Sequence, residues 1–260
     1  MTESGGEYEA AHLIGMEIIW GEGFMSPGGV EEVASVIDGI AVRGKKILDL
    51  GCGLGGPAMA LVANHRAGRV VGVDVHRQQL ARASELARNR GIADKTEFRL
   101  IEPGPLPFED SSFDVVFTLG VIIKIAQKRE LFAEVRRVLR PGGVLVGNDW
   151  LRGWSGPLSE EMAEHAANSG LAHHWATPDE IRDALSAAGF EGAVLKDRGG
   201  WMVEQLGRDL AALETGPIRE RIEQAFGESA DGMRDTWRRL LRLAESGELV
   251  TAQFRASRPA

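Results

Sequence analysis

Short apolar runs alternate with amphipathic segments through the first 150 residues of the chain. Apolar runs rich in aliphatic or β-branched residues predict strands at about 45–50, 69–75, 96–101, 114–120 and 142–149. Apolar residues at helical spacing predict helices between them, at about 57–65, 78–91 and 131–140. Strands and helices that alternate in this way indicate an α/β fold with a mostly parallel sheet and right-handed crossovers.

The pattern changes on both sides of this alternating region. An apolar stretch at 13–20 and a helix predicted at 29–41 indicate an N-terminal helical cap. Periodicity is weak after Trp150, which predicts a lid or substrate loop. The sequence Thr177-Pro178-Asp179-Glu180 then matches a helix capping box with proline at the first helical position. Further helices are predicted at 201–214, 217–226 and 231–244, with strands at 190–197 and 250–257.

These patterns divide the chain into four parts: a cap (1–43), a core (44–150), a lid (151–178) and a C-terminal part of the same fold (179–260). With the two late strands added, the expected sheet has seven strands and helices on both faces.

Charge and cysteine content exclude several classes of protein. The formal net charge of −8 argues against a broad nucleic-acid-binding face, which needs clustered basic residues. One basic cluster, predicted to be a solvated helix face, consists of Arg234, Arg238, Arg239 and Arg242. Cys52 is the only cysteine, so no internal disulfide forms, which suits a reducing cytoplasm. We expect neither a signal peptide nor a membrane span, and a homo-oligomer is left open.

The central motif lies between the first predicted strand and the helix that follows it, and reads Asp49-Leu50-Gly51-Cys52-Gly53-Leu54-Gly55-Gly56. Glycines let this backbone turn tightly and approach a ligand, and the loop feeds a helix N-terminus. Asp74 follows about 18 residues after the loop, where an acid can accept hydrogen bonds from ribose hydroxyls. Asp49 favours a ligand with an ammonium group over a pyrophosphate.

The segments LPFEDSSFDVVF (106–117) and LRPGG (139–143) follow this motif in order. Together the three resemble the pattern of class I S-adenosylmethionine-dependent methyltransferases across roughly 45–150, which implies a Rossmann-like fold and S-adenosylmethionine as cofactor. The resemblance implies that Asp49, Gly51 and Gly53 line the methionine part and that Asp74 holds the ribose. It also places Val75 beside the adenine, Glu102 and Pro103 at the adenine edge, and Leu119 and Gly120 under the methionyl chain.

Two further segments, WGEGFMSPGGVEEV (20–33) and SGELVTAQFRASRP (246–259), resemble phosphoethanolamine and small-amine N-methyltransferases. That family pairs a tyrosine of the N-terminal arm with a histidine after the fourth strand. Tyr8, the only tyrosine, falls near the first position, but Lys124 stands at the second. Where the family grips its phosphobase with tyrosines, Trp150 and His173 are the nearest counterparts.

Methyl transfer from a sulfonium to an amine needs alignment, exclusion of water and a base that frees the nitrogen lone pair. Lys124 could be this base if burial lowers its pKa, or it could bind a substrate carboxylate. The other catalytic candidates are Tyr8, His173 and Asp149, the last at the expected ligand-binding edge. An aromatic wall for a cation could be built from Trp20, Phe24, Trp150, Trp154, Trp175 and Trp201. No metal-ligand spacing is present, so we expect no metal.

We therefore expect a small-molecule, most favourably amine, methyltransferase. Three alternatives stay open: a cyclase or rearrangement enzyme that uses the same cofactor, a nicotinamide-dependent oxidoreductase, and a binding module without turnover. Release of S-adenosylhomocysteine would identify methyl transfer, whereas methylthioadenosine would identify attack on the cofactor's side chain.

Overall fold

A computed structural model describes residues 10–169 and 172–260. Its strands are Lys46–Leu50 (β1), Arg69–Asp74 (β2), Thr96–Leu100 (β3), Phe113–Leu119 (β4), Leu139–Arg152 (β5), Glu191–Asp197 (β6) and Leu249–Ser257 (β7). Its helices are Ala10–Trp20 (α1), Gly29–Val36 (α2), Gly56–Ala63 (α3), Arg77–Asn89 (α4), Lys128–Val138 (α5), Glu160–Asn168 (α6), Pro178–Ala187 (α7), Gly199–Glu214 (α8), Gly216–Phe226 (α9) and Ala230–Glu245 (α10). Short 3₁₀ turns lie at Ile122–Lys124 and Gly227–Ser229.

The strands form one sheet in the order β3-β2-β1-β4-β5-β7-β6. The pairs from β3 to β5 are parallel, and β7 runs antiparallel to both β5 and β6. The strand order reverses between β1 and β4, so the loops that follow these two strands open a crevice at the carboxyl edge of the sheet. The prediction of a mostly parallel, seven-stranded α/β sheet is confirmed.

Apolar side chains cover both faces of the sheet because successive residues of a strand point to opposite sides. Leu48 packs in one cluster with residues of α5 and α7, whereas its neighbour Ile47 packs in another with residues of α2 and α3. A third cluster joins α8, α9 and α10 to α1 and α6. These three late helices lie in sequence between β6 and β7, so they form a helical unit beside the carboxyl-edge loops.

Several predicted boundaries are wrong. The helix expected at 29–41 ends at Val36, and Gly39 has a φ of 72°, which a helix does not allow. The helix expected to reach residue 140 ends at Val138, since residues 139–143 begin β5. β5 continues to Arg152 because it pairs with β7 as far as Leu249.

The region 151–178, expected to be an irregular lid, contains α6. Ser159 caps this helix, since its hydroxyl accepts a hydrogen bond from the backbone N–H of Met162 at 3.1 Å. Met162 is the fully buried residue of the helix, so its apolar face is narrow and the sequence signal is weak. The capping box at Thr177 is confirmed, with both reciprocal hydrogen bonds present.

The basic cluster of α10 is neutralised by acids. Arg239 pairs with Glu164 at 2.8 Å and Arg242 with Glu161 at 2.6 Å, so α10 and α6 are joined by two ion pairs. Arg234 and Arg238 pair with acids of α8, α9 and α10. None of the helices in the described ranges is long and apolar enough to cross a membrane.

Candidate functional site

The glycine loop after β1 is fixed by its own backbone. The N–H groups of Gly51 and Cys52 donate to the carbonyl of Val73 at 2.8 and 3.0 Å, which folds the loop back onto β2. Gly51 has a φ of 71°, and a Cβ there would lie 2.3 Å from Cγ2 of Val121. Glycine is therefore required at this position, both for the left-handed backbone and for the close approach of the loop after β4.

Asp49 is a buried acid at the base of this crevice, only 1% exposed. Burial raises the pKa of its carboxyl to about 7, the nearby charge of Asp74 adds to this, and the backbone of Ala58 partly opposes it. Its Oδ2 has no hydrogen-bond partner among the described residues. Because an unsatisfied buried acceptor is costly, this oxygen fits a ligand that brings a donor, and an ammonium group would supply both donor and positive charge.

Asp74 ends β2 beside the glycine loop. Its Oδ2 accepts from the backbone N–H of Gly53 at 2.9 Å, and its Oδ1 accepts from the N–H of His76 at 3.1 Å and contacts the ring Nδ1 of His76 at 2.9 Å. These contacts hold the carboxylate at the edge of the crevice, and its oxygens keep lone pairs for further donors.

The three residues predicted around the adenine lie at the same edge. Val75 is 47% exposed directly after β2, and Glu102 and Pro103 are exposed directly after β3. The N–H of Ile101 donates to the carbonyl of Asp74 at 3.0 Å, which brings the ends of the two strands together. The geometry is compatible with an adenine at this edge, and the role of these residues stays a prediction.

Asp149 organises the segment after β4, although it lies within β5, three residues before the strand ends, and not at its tip as predicted. Its carboxylate accepts from the backbone N–H groups of Val121, Ile122 and Ile123 at 2.8, 2.6 and 3.1 Å, and from that of Trp150 at 2.9 Å. Burial raises its pKa to about 6 although these N–H groups oppose the shift. These contacts give Asp149 a positioning role towards the 3₁₀ turn that carries Lys124, and its predicted substrate contact stays a prediction. Gly120 is held to the same strand, since its N–H donates to the carbonyl of Asn148 at 2.9 Å.

Lys124 and His173, predicted separately as catalytic candidates, lie together. Lys124 Nζ is 2.9 Å from His173 Nε2, although 49 residues separate them. The backbone fixes this contact: the N–H of His174 donates to the carbonyl of Ile123 at 2.7 Å, and Lys128 Nζ donates to the carbonyls of Ile125 and His174. The His173 ring stacks on Trp175 with 5.0 Å between centroids and 7° between planes.

Burial favours the neutral forms of the basic side chains around Lys124 and His173. It lowers the pKa of Lys124 to about 8, although the charge of Asp149 opposes the shift. His165 of α6, whose ring centroid is 6.1 Å from that of His173, has a pKa lowered to about 4 by burial first and then by Arg239 and Lys124. A lysine with a pKa near 8 has a neutral fraction at physiological pH that can accept a proton. Tyr8, the fourth catalytic candidate, lies outside the described residues.

Four of the six side chains of the predicted aromatic wall, those of Trp20, Trp150, Trp175 and Trp201, pack against the cluster that α8–α10 share with α1 and α6, whereas Phe24 packs in the cluster with α2 and α3. Trp20 packs on Trp237 with 5.8 Å between centroids, Trp175 stacks on His173, and Trp201 lies under the guanidinium of Arg198. Phe24 is buried, and Trp150 packs against the helical cluster of α8–α10. Trp154 is 47% exposed.

Residues 21–28, the connection between α1 and α2 that we call the strap, lie over the glycine loop. The N–H of Gly56 donates to the carbonyl of Gly23 at 2.9 Å. Met25 Sδ lies 2.6 Å from the point where a Cβ on Gly53 would be, and Ser26 Oγ lies 2.9 Å from the same point on Gly120. Sequence reasoning did not place Met25 or Ser26 in the site. The only signal was the family resemblance of 20–33, because no periodicity marks such a connection.

Comparison with known proteins places these features in a family. A family model described as "Methyltransferase domain" matches residues 48–147. Wheat phosphoethanolamine N-methyltransferase is 30% identical over 93% of this chain and 47% of its own length. Phosphoethanolamine N-methyltransferase 3 of Arabidopsis thaliana is 30% identical over 97% of this chain and 50% of its own length. This chain therefore spans about half the length of the curated relatives it matches.

A solved structure has the same fold over nearly the whole chain. Phosphoethanolamine N-methyltransferase 2 of Haemonchus contortus, in complex with phosphomonomethylethanolamine and S-adenosylhomocysteine, superposes with a TM-score of 0.88. It is 26% identical and covers 98% of this chain and 59% of the other.

Proposed function

Because the chain belongs to the class I S-adenosylmethionine-dependent methyltransferases related to phosphoethanolamine N-methyltransferases, we propose that it methylates the nitrogen of a small amine. One observation supports the binding of S-adenosylmethionine in this proposal. Asp49 and Asp74 lie near the ends of two neighbouring strands, on either side of the glycine loop. Side chains in place of the glycines of this loop would collide with neighbouring residues.

In this proposal the two acids hold opposite parts of the cofactor. Asp49, whose Oδ2 lacks a donor in the described part of the chain, accepts from the cofactor's amino group, and Asp74 accepts from its ribose hydroxyls. Gly51 and Gly53 admit the methionyl chain, and Leu119 and Gly120 support it from β4. When bound, the cofactor supplies a methyl group activated by its sulfonium. The strap, which lies against Gly53 and Gly120, would exclude water from the bound cofactor.

Lys124 is the proposed base. An amine in water is mostly protonated, so the acceptor must lose a proton before its lone pair can be methylated. The pKa of about 8 gives Lys124 a neutral fraction that accepts this proton, and His173 Nε2 lies 2.9 Å from its Nζ. Asp149 positions the turn that carries Lys124. Tyr8 is kept as a further catalytic candidate on the family resemblance alone.

The acceptor chemistry follows the relatives. Curated relatives that cover nearly all of this chain are phosphoethanolamine N-methyltransferases, which does not favour the cyclase or rearrangement alternative. Phosphoethanolamine and its methylated forms are therefore the first acceptors to test. The net charge of −8 supports a small-molecule acceptor rather than a nucleic acid. The four-part division of the chain, a cytoplasmic location and a homo-oligomer stay proposals.

The test is an assay of the purified protein with S-adenosylmethionine and a panel of amines, read by mass spectrometry. The panel holds phosphoethanolamine, ethanolamine, glycine and sarcosine. We expect S-adenosylhomocysteine and a product heavier by one methyl group with at least one acceptor. Methylthioadenosine instead of S-adenosylhomocysteine would identify the alternative reaction. Absence of binding to S-adenosylhomocysteine in calorimetry would contradict the cofactor assignment itself.

A further inference from the structure

Both ends of the strap are tied to helix α8, which is distant in sequence and belongs to the helical unit between β6 and β7. At the strap's beginning, the indole N–H of Trp20 donates to Oδ2 of Asp209 at 2.8 Å. Gln205 Nε2 donates to the other oxygen of Asp209 at 2.7 Å. Asp209 is 6% exposed, so this is an inward-facing acid with two donors, one of which belongs to the residue just before the strap.

The other end of the strap leads into α2, where Glu32 is 2% exposed. Its Oε2 accepts from Arg198 Nη2 at 2.8 Å, immediately before α8. Its Oε1 accepts from the side-chain amides of Asn148 and Gln253, both at 2.8 Å. Glu32 thereby joins α2 to the paired residues Asn148 of β5 and Gln253 of β7 and to the residue before α8.

A cation–π contact between Arg198 and Trp201 supports the ion pair of Arg198 with Glu32. The guanidinium of Arg198 lies 4.5 Å from the ring of Trp201. Gly28, the last strap residue, has a φ of 87°, and a Cβ there would lie 2.9 Å from Cζ2 of Trp201. The end of the strap is thus pressed directly onto α8.

We propose that Glu32 and Asp209 are positioning residues that clamp the strap onto α8 and thereby set how tightly the cofactor is held. Neither acid touches the glycine loop. Each holds one end of a segment whose middle does contact that loop at Gly23 and Met25, while Ser26 lies beside Gly120 after β4. This inference rests on the proposed function, since the strap covers the positions assigned to the cofactor's methionine end.

The physical argument is one of preorganisation. A segment with glycines at positions 21, 23 and 28 loses much conformational freedom when it is seated over the loop. Two buried, charge-assisted anchors fix its ends before the ligand arrives, so the ligand does not have to order it. If one anchor is lost, the ordering cost moves to the binding step and the affinity falls.

The test measures binding of S-adenosylhomocysteine by calorimetry in the full chain. We expect Glu32→Gln and Arg198→Gln each to weaken binding by about tenfold, as for loss of one buried charged hydrogen bond. The double variant should be little worse than either single variant because both remove the same contact. Arg198→Lys keeps the charge but loses the planar guanidinium that lies over Trp201, so its affinity should fall between those of Arg198→Gln and the unsubstituted chain.

A second variant tests the opposite end. Trp20→Phe keeps an aromatic ring but removes the N–H donor to Asp209, and we expect it to weaken binding by about three- to tenfold. Because both anchors hold the same segment, combining Trp20→Phe with Glu32→Gln should weaken binding by less than the two single effects together. Hydrogen exchange shows whether the strap is loosened. In Trp20→Phe and in Glu32→Gln, the backbone amides of residues 21–28 should exchange faster than in the unsubstituted chain before ligand is added.

Glu248→Gln is the matched control. Glu248 is another buried acid, 3% exposed, and it lies 3.8 Å from Arg152 without contacting the strap. This variant should lose thermal stability but keep its affinity for S-adenosylhomocysteine within about twofold.

Two results separate the hypotheses. If the unsubstituted chain binds S-adenosylhomocysteine and both Glu32→Gln and Trp20→Phe bind it equally well, the clamp is refuted while the proposed function stands. If the unsubstituted chain does not bind this ligand, the proposed function itself fails. Slow exchange of residues 21–28 in folded Glu32→Gln would likewise overturn the clamp.

Discussion

At the residue scale, Asp49 links the protonation state of one buried carboxyl to cofactor binding. Its pKa of about 7 means that it is largely protonated in the free protein at pH 5.5 and largely ionised at pH 7.5. Only the ionised form pairs with an ammonium group. The affinity for S-adenosylhomocysteine should therefore fall by roughly twentyfold as the pH is lowered between these values, which follows from the change in the ionised fraction.

Calorimetry at several pH values checks this dependence. Asp49→Asn removes the titrating group without changing the shape of the side chain much. Its affinity at pH 7.5 should be low and nearly constant down to pH 5.5. A wild-type affinity that does not change across this range would contradict the role of Asp49.

Lys124 makes a second residue-scale prediction, this time for turnover. With a pKa of about 8, roughly a quarter of the lysine is neutral at pH 7.5, and the fraction grows with pH. The rate at saturating substrates should rise as the pH is raised through about 8. Lys124→Met should lower that rate by about 100-fold, within the range usual for a general base, and should remove this rise.

The measurement is the pH dependence of kcat, with cofactor affinity as the control. Lys128→Met is the matched variant: this lysine is also half-buried in the same corner, but its Nζ is used by two backbone carbonyls. It should change the stability of the segment around His174 more than the pH profile. Full activity of Lys124→Met would remove Lys124 from the mechanism.

At the scale of elements, the sequence predicted features that depend on residues close together in the chain and missed contacts between residues far apart in it. The loop from Asp49 to Gly56 and the capping box at Thr177 were both predicted, because residues close in sequence determine them. Asp74 was predicted at the end of the second strand from its spacing of about 18 residues after the glycine loop, and it is the last residue of β2. The ion pair of Glu32 and Arg198 was missed, since 166 residues separate the two and no local pattern pairs them.

Helix α6 is a second element that depends on long-range contacts and was not predicted from the sequence. Its apolar face is one buried methionine, so the pattern gave little sign of a helix. Its stability comes from tertiary contacts, with Glu161 and Glu164 paired to arginines of α10. Those contacts also bring His165 towards His173 and Lys124.

His165 therefore makes α6 sensitive to acid. Its pKa is lowered from its ordinary value to about 4, so the unfolded chain takes up a proton at a higher pH than the folded chain. The stability that the neutral imidazole contributes is present above about pH 6.5 and is lost as the pH falls through about 4. Over that interval the loss is of the order of 2–3 kcal/mol, from 1.36 kcal/mol per pKa unit and allowing for partial exposure.

The check is urea unfolding at pH 7 and pH 4.5 of the unsubstituted chain and of His165→Gln. The variant should lose less stability between the two pH values, by about 2 kcal/mol. Equal pH dependence in His165→Gln would contradict the burial argument.

At the scale of the whole molecule, the last strand in sequence occupies an interior place in the sheet. β7 pairs with β5 on one side and β6 on the other, and Phe254 packs in the cluster shared with α5 and α7. The ring also fills the space above Gly147, where a Cβ would lie 2.6 Å from its Cζ. β7 lies between β5 and β6, which both precede it in sequence. Loss of its packing is therefore expected to lower the stability of the whole sheet and not only that of its β6 edge.

Phe254→Ala should therefore lower the free energy of unfolding by about 3–5 kcal/mol, the usual cost of deleting a buried phenylalanine side chain. Arg255→Ala, at the exposed neighbour on the opposite face, should change it by no more than about 0.5 kcal/mol. Urea unfolding followed by tryptophan fluorescence measures both, and a single shared transition is expected because the strand belongs to one continuous sheet. If Phe254→Ala instead unfolded in two steps, with the region around β1 and β2 retained to higher urea, the sheet would have to be regarded as two independently stable halves.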